Sequence, residues 1–480
     1  MAGLITDKKI NANLNRKGDH NMFKDSIDNS KGNSEKISQK LEQVTFNSVR
    51  KVLPDHSIIE ACKSIGYTYR ERKITPIVTV LHMIMAAIWP EDSFNASWQV
   101  IWTNFASCFP SLAGRCPART NVARARARLS VKLWRRLFDL VSLQSQRLSG
   151  QYDKWKDHRV VLADGTCVSM SDRPELFETF GTNDGYHGKG KYPLARLVTL
   201  CLANTMTVIN YALGRYNQAE STMLFSILDS LQKGDLLVAD RHFAAAHFYW
   251  YYQQRAVEFL TRAHQCLKVS RIKRVRSYSR NDFIGYLNIN ENYRRKDSRL
   301  PKHILVRFIK ATVRIRGRRK EIWFVTSLLD NKKYPAKAIV ELYGRRWRIE
   351  TLFRVFKINF SSDVLRSQSP DSIHKEIISR LISINIVRTI ILEASIEHKI
   401  DPQRISFVGA LRAIITFSPA FASSSFWQLP QIYQAMLTEI ACAIVPDRPK
   451  RVEPRMVRRE WKHYPSMKST RAQWRLKYVA

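Results

Sequence analysis

The chain has 480 residues, with 79 Lys and Arg against 41 Asp and Glu and a formal net charge of +38. That length allows a large core and more than one domain, and a surplus this size repels a compact monomer unless a polyanion neutralises it, so nucleic acid is the first partner to expect. Seven scattered cysteines without C-x2-C spacing argue against a disulfide framework or a zinc site and fit a reducing cytosol, and with the basic surplus the expected setting is cytoplasmic and nucleoid-associated.

Residues 1–44 are rich in Asn, Lys, Ser and Asp, lack apolar anchors, and read as a disordered polar tail. The start carries no signal-peptide h-region. From about 45 to 150, apolar residues recur at helical spacing in 57–64, 77–89 and 122–148. This is a helical N-terminal domain, expected to bind DNA. The apolar run 77–89 contains His82 and stops before Pro90, too short to span a bilayer, and reads as a buried helix. Within 122–148, Arg124, Arg128, Lys132 and Arg135 form a basic stripe opposite Leu129, Leu133 and Leu140. It is either a solvated face or a contact for a DNA backbone.

From about 156 the texture turns to strands. The apolar run 159–163 leads to Asp164, and 195–202 and 207–213 follow as the next strands. Then come helix 221–231, strand 235–239 ending at Asp240, helix 244–254 and strand 257–261. Three strands, helix, strand, helix, strand is the order of an RNase H-like α/β fold, a mixed sheet covered by helices. Functional groups in such sheets gather at strand ends. The loop 181–192, with four glycines, matches no phosphate-binding fingerprint and reads as a flexible loop. A basic segment, 268–280, precedes strand candidates 282–289, 303–315 and 320–328, a β insertion at about 268–335 of a catalytic domain spanning 151–371.

The stretch from Tyr343 to Lys357 reads Tyr-x2-Arg-x3-Glu-x6-Lys. On one α-helix, Tyr343, Arg346, Glu350 and Lys357 fall at roughly 0°, 300°, 340° and 320°, a single stripe flanked by Trp347 and Arg354. Ile349, Leu352, Phe353 and Phe356 form the opposite apolar face. After 360, helices are expected at 372–398, 405–417 and 429–444. Ile377, Leu381, Ile384 and Ile391 share one side, suited to a subunit contact or to core packing. The C-terminal region 372–480 closes on a basic tail.

Two aspartates that each end an apolar run, and a helical glutamate among cations, suggest three carboxylates for divalent metal. Phosphodiester cleavage needs an activated oxygen nucleophile and charge neutralisation at the leaving oxygen, which two Mg²⁺ ions roughly 4 Å apart supply; Mg²⁺ takes oxygen ligands. Locally, each Asp also fits a turn or cap, and Glu350 fits an i±4 pair with Arg346 and Arg354.

Asp164-Gly-Thr, Val238-Ala-Asp240-Arg, the Tyr343/Arg346/Glu350/Lys357 signature, the β insertion and the ending Val445-Pro-Asp-Arg-Pro-Lys-Arg-Val-Glu-Pro-Arg455 resemble the DDE transposases of the IS4 family, Tn5-like enzymes. The resemblance implies that Asp164, Asp240 and Glu350 hold catalytic Mg²⁺, or Mn²⁺ in its place. It implies that Tyr343, Arg346 and Lys357, with Arg241 and Arg262, contact the transposon-end backbone. It further implies cut-and-paste transposition through a hairpin, carried out by a homodimer on paired inverted repeats and on target DNA. In such enzymes a tryptophan of the β insertion stacks a flipped base; Trp323 is offset from that place by one residue, and a slip of one reverses a strand face. Two other classes stay open on sequence: a transposase-derived DNA-binding regulator that has lost catalysis, and a nuclease or resolvase on the same fold.

Overall fold

The computed structural model describes residues 47–446, apart from 70–73, 90–92, 151, 186–187, 191 and 316–317, together with residues 473 and 476. The expected polar tail 1–44, and all but two residues of the basic tail after 446, lie outside the described residues.

A single mixed sheet organises the molecule. Its main strands are β1 (His158–Met170), β2 (Leu194–Leu202), β3 (Val208–Arg215), β4 (Leu236–Ala239), β5 (Glu258–Arg262), β6 (Arg274–Ser279), β7 (Asp282–Asn288), β8 (His303–Ile315) and β9 (Arg318–Thr326). They lie side by side as β3-β2-β1-β4-β5-β9-β8-β7-β6. β1, β2 and β3 form an antiparallel meander, whereas β4 runs parallel to β1 and β5 parallel to β4. A short strand, β10 (Val364–Leu365), adds in parallel to the far end of β1. The β insertion is therefore no separate sheet: β9 pairs with β5 and continues the same surface. β6 was not foreseen. It occupies part of the basic segment 268–280, and its mostly exposed, Arg-bearing sequence protects a sheet edge from further pairing.

Alternation along the strands divides the core in two. Val161, Ala163, Leu237 and Phe259 face one side, with the insertion and helix Ala246–Gln254. Leu162, Val238, Leu260 and Phe324 face the other, against the helical regions. Those regions comprise α1 (Asn47–Val52), α2 (Asp55–Ser64), α3 (Pro76–Ile88), α4 (Phe94–Cys108), α5 (Arg119–Arg128) and α6 (Val131–Ser149) before the sheet. The helix foreseen at 122–148 breaks at Leu129, with Ser130 capping α6 through a hydrogen bond from Leu133 N–H. Arg124 and Arg128 thus sit on a different helix from Lys132 and Arg135, and no common stripe survives.

The C-terminal helix Pro370–His398 lies at the centre of this helical layer. At 29 residues it is buried along most of its length and on all sides. Ile377, Leu381, Ile384 and Ile391 are each at most 1% exposed. Their shared face is core, packed inside the chain, and is not available to a second subunit. Asn385 ties the helix to the sheet: its side chain accepts a hydrogen bond from Val208 N–H (2.9 Å) and donates one to Val208 O (2.8 Å). Among the described residues, no helix is long and apolar enough to cross a membrane.

Candidate active site

Strand register assembles the site. Ala163 of β1 stands opposite Ala239 of β4, and Ala239 opposite Thr261 of β5. One residue further, Asp164, Asp240 and Arg262 form a row across three neighbouring strand paths, about 5 Å per step. The row extends to Thr199, opposite Asp164 on β2, and to Phe324, opposite Arg262 on β9. By alternation all five share the face of Leu162 and Val238.

Asp164 does not end its strand. The apolar run stops at Ala163, but pairing with β2 continues to Ser169, so the carboxylate sits in mid-strand. What stops there is the parallel partner β4, after which Asp240 leaves the sheet and opens a 3₁₀ turn, Arg241–Phe243. Each aspartate accepts the next backbone N–H, Gly165 to Asp164 at 2.9 Å and Arg241 to Asp240 at 2.6 Å.

The signature segment covers this row, though not as one uniform helix. It runs as α-helix Ala336–Gly344, 3₁₀ turn Arg345–Trp347, α-helix Arg348–Arg354 and π turn Val355–Asn359. Tightening in the 3₁₀ turn and loosening in the π turn shift residues on the 100° wheel, yet Arg346 still lies beside both the Tyr343 ring and Glu350. Tyr343 and Arg346 turn inward, 7% and 6% exposed. The Tyr343 ring meets Phe324 edge-on at 4.9 Å, and burial pushes its phenol well above the ordinary value. The Arg346 guanidinium reaches Asp164 Oδ2 at 3.2 Å and Glu350 Oε1 at 3.7 Å. Glu350 remains 47% exposed. Arg262 is half-buried on β5, and Arg241 is half-buried in the turn after Asp240. Lys357, in the π turn, is half-buried, and its charge acts on Cys167, three residues beyond Asp164 on β1.

Burial pushes the Asp164 carboxyl up to about 6; Gly165 N–H and Arg346 oppose this, while the negative charges of Glu220 and Asp240 reinforce it. Glu220 was missed from sequence. It opens the short helix Glu220–Phe225 and lies so close to Gly165 that a Cβ there would stand 2.6 Å from its carboxyl carbon. Arg196 on β2 pairs with it at 3.5 Å. A lone acid in a first helical turn is ordinary, and only the register of β1 and β2 exposes its relation to Asp164. His242, with Nδ1 at 3.9 Å from Asp240, was also passed over, although it follows Asp240 by two residues.

The donor set fits a hard divalent cation, since it is all oxygen and Asp164 is a buried carboxyl close enough to Asp240 and Glu220 to feel their charges. The three carboxylates do not form a closed cage. Among the described residues, no three His, Cys, Asp or Glu side chains stand together so as to hold one ion. Arg346 lies between Asp164 and Glu350, and Glu350 is exposed enough to change rotamer. Trp323 belongs elsewhere: its ring packs edge-on against Phe283 at 5.9 Å, on the face opposite Phe324.

Comparison with known proteins gives three similarities. Residues 155–386 match the model of the transposase DDE domain. The chain is 22% identical over 362 residues to Transposase InsG for insertion sequence element IS4 of Escherichia coli (strain K12), covering 72% of this chain and 78% of that protein. It is 26% identical to InsZ of the same organism over 127 residues, 26% of this chain and 42% of InsZ. The DDE match begins just before β1 and ends within the central helix, enclosing both aspartates and the signature segment.

Proposed function

This chain belongs to the IS4-family DDE transposases, the enzymes of insertion sequences, and we propose that it binds the terminal inverted repeats of its element and moves it by cut-and-paste chemistry. The sheet is read as an RNase H-like core, which the meander β1–β3 and the order β3-β2-β1-β4-β5 support. Asp164, Asp240 and Glu350 would hold the catalytic Mg²⁺, or Mn²⁺ in its place, which when bound would supply Lewis acidity at the phosphoryl oxygens and a more acidic attacking hydroxyl. Water cleaves the phosphodiester at the element's end and leaves a 3′-hydroxyl. That hydroxyl attacks the opposite strand to form a hairpin, which a second water opens before the freed end joins target DNA.

The chain's own residues supply position and charge. Lys357, Arg241 and Arg262 contact the end backbone around the carboxylate row. Arg346 holds Asp164 and Glu350 together, and its unpartnered Nε would serve a phosphate of the bound end. Tyr343, buried beneath it, positions that guanidinium. Excision requires both ends to be cut together, so the working species is a homodimer on paired ends.

The observation that carries this reading is Arg346 spanning Asp164 and Glu350, because it brings the mid-strand aspartate and the signature glutamate to one point. Asp164→Asn, Asp240→Asn and Glu350→Gln should each abolish Mg²⁺-dependent end cleavage while leaving paired-end complexes visible on native gels. Near-normal cleavage by any one of them removes that residue from the site.

A further inference from the structure

A second feature of the molecule lies away from the carboxylate row, where the N-terminal helices meet the start of the central helix. A groove of about 490 Å³ opens there, and Arg126, Arg366 and Lys375 line it. Two helices begin at its walls. Ser93, Phe94 and Asn95 at the start of α4 line one side, and Ser372, in the first turn of helix Pro370–His398, lines the other. Helix N-termini add positive potential and unpaired N–H groups to a site already cationic.

The cations are only partly matched inside the protein. Arg126 lies over the Phe94 ring at 4.2 Å, yet its buried Nε has no hydrogen-bond partner, and neither does the buried Nη1 of Arg366. Lys375 donates only to neutral carbonyls, Ala127 O at 3.2 Å and Arg126 O at 3.5 Å. Burial lowers the pKa of both Arg126 and Lys375. Glu376, the acid behind the groove, is engaged by Arg380 at 2.8 Å and by the backbone N–H groups of Arg366 and Ser367. Buried guanidinium donors without an acceptor are costly, and an anion is the partner that removes the cost.

We infer that this groove is a second DNA-contact site, taking backbone phosphates of the strand whose end lies at the carboxylate row. The placement favours a strand over a free anion. β10 pairs Val364 with Ser169 and Leu365 with Met170, so Arg366 follows directly on the far end of β1. Met170 lies six residue steps along β1 from Asp164, roughly 20 Å at about 3.3 Å per step. A DNA strand covers that distance in about six nucleotides at 3.4 Å each. The inference rests on the transposase reading in requiring that the protein bind DNA with a strand end at the carboxylate row.

The test is DNA binding by the full chain between 50 and 200 mM salt, read by fluorescence anisotropy on a short duplex, with thermal melting in parallel. Arg126→Gln and Arg366→Gln should each lower the magnitude of the salt slope by about one, and their combination by about two, with affinity falling roughly eightfold per variant at 0.1 M salt. Arg366→Lys, which keeps the charge, should retain the slope. Lower melting temperatures with an unchanged slope would show the arginines to be purely structural and overturn the proposal. Loss of inorganic phosphate binding in Arg366→Gln without any change in the DNA slope would also overturn it, assigning the groove to free anions. Failure of the unmodified protein to bind DNA would strike the transposase reading itself, and this inference with it.

Discussion

Arg346 sets the resting state of the carboxylates. It is buried, and it touches Asp164 and Glu350 at 3.2 and 3.7 Å. A divalent cation at the proposed site would compete with this guanidinium for the same oxygens. Removing the arginine should therefore destabilise the metal-free protein, by about 1–3 kcal/mol for a buried partner left unmatched, and at the same time remove the competitor. Arg346→Ala should melt lower than the unmodified protein in EDTA yet gain more from added Mg²⁺, because binding to the folded state alone raises stability by mass action. Equal Mg²⁺ gains in the two proteins would remove Arg346 from the metal's path. Much of this site was legible at the residue level. Asp164 and Asp240 each close an apolar run, and Glu350 sits at fixed spacing from Tyr343, Arg346 and Lys357. Glu220 and Arg196 were not legible, since their relation to Asp164 exists only after β1 and β2 pair and bring Gly165 under the Glu220 carboxylate.

Among the elements, the departures from expectation have local causes. β1 runs past Asp164 because Thr166, Val168 and Met170 keep a period of two after the apolar run has ended. The signature segment tightens and then loosens through its 3₁₀ and π turns, and apolar periodicity does not register such changes in winding. The insertion's junction with β5 was invisible for another reason: which strands become lateral neighbours is settled across the chain, not along it. The central helix is part of the fold's core, not an appended subunit contact. Its isoleucines are core, and Asn385 supplies both hydrogen-bonding groups of Val208. Asn385→Ala should cost about 1–3 kcal/mol in urea unfolding, because it leaves the buried Val208 N–H unpaired, whereas Val208 O keeps the Ser142 hydroxyl. A loss under 1 kcal/mol would mean that the sheet and this helix are held together by apolar packing alone.

At the scale of the whole molecule, the chain carries a formal charge of +38, and Asp164, Asp240 and Glu350 stand against that basic surplus. A polyanion is drawn to the surface by the basic surplus, while Asp164, Asp240 and Glu350 repel it unless a divalent cation intervenes. Substrate and metal are thus expected to depend on each other, which is the central claim about how this chain works. Cysteine substitution with a change of metal tests it most directly. Asp164→Cys, Asp240→Cys and Glu350→Cys replace a hard oxygen ligand with a softer sulfur, a poor partner for Mg²⁺ and a more acceptable one for Mn²⁺. End cleavage should vanish in Mg²⁺ for all three variants and return in part when Mn²⁺ replaces it. Full activity in Mg²⁺, or no recovery in Mn²⁺ at any of the three positions despite intact folding and DNA binding, would contradict the assignment of these carboxylates as the metal's ligands.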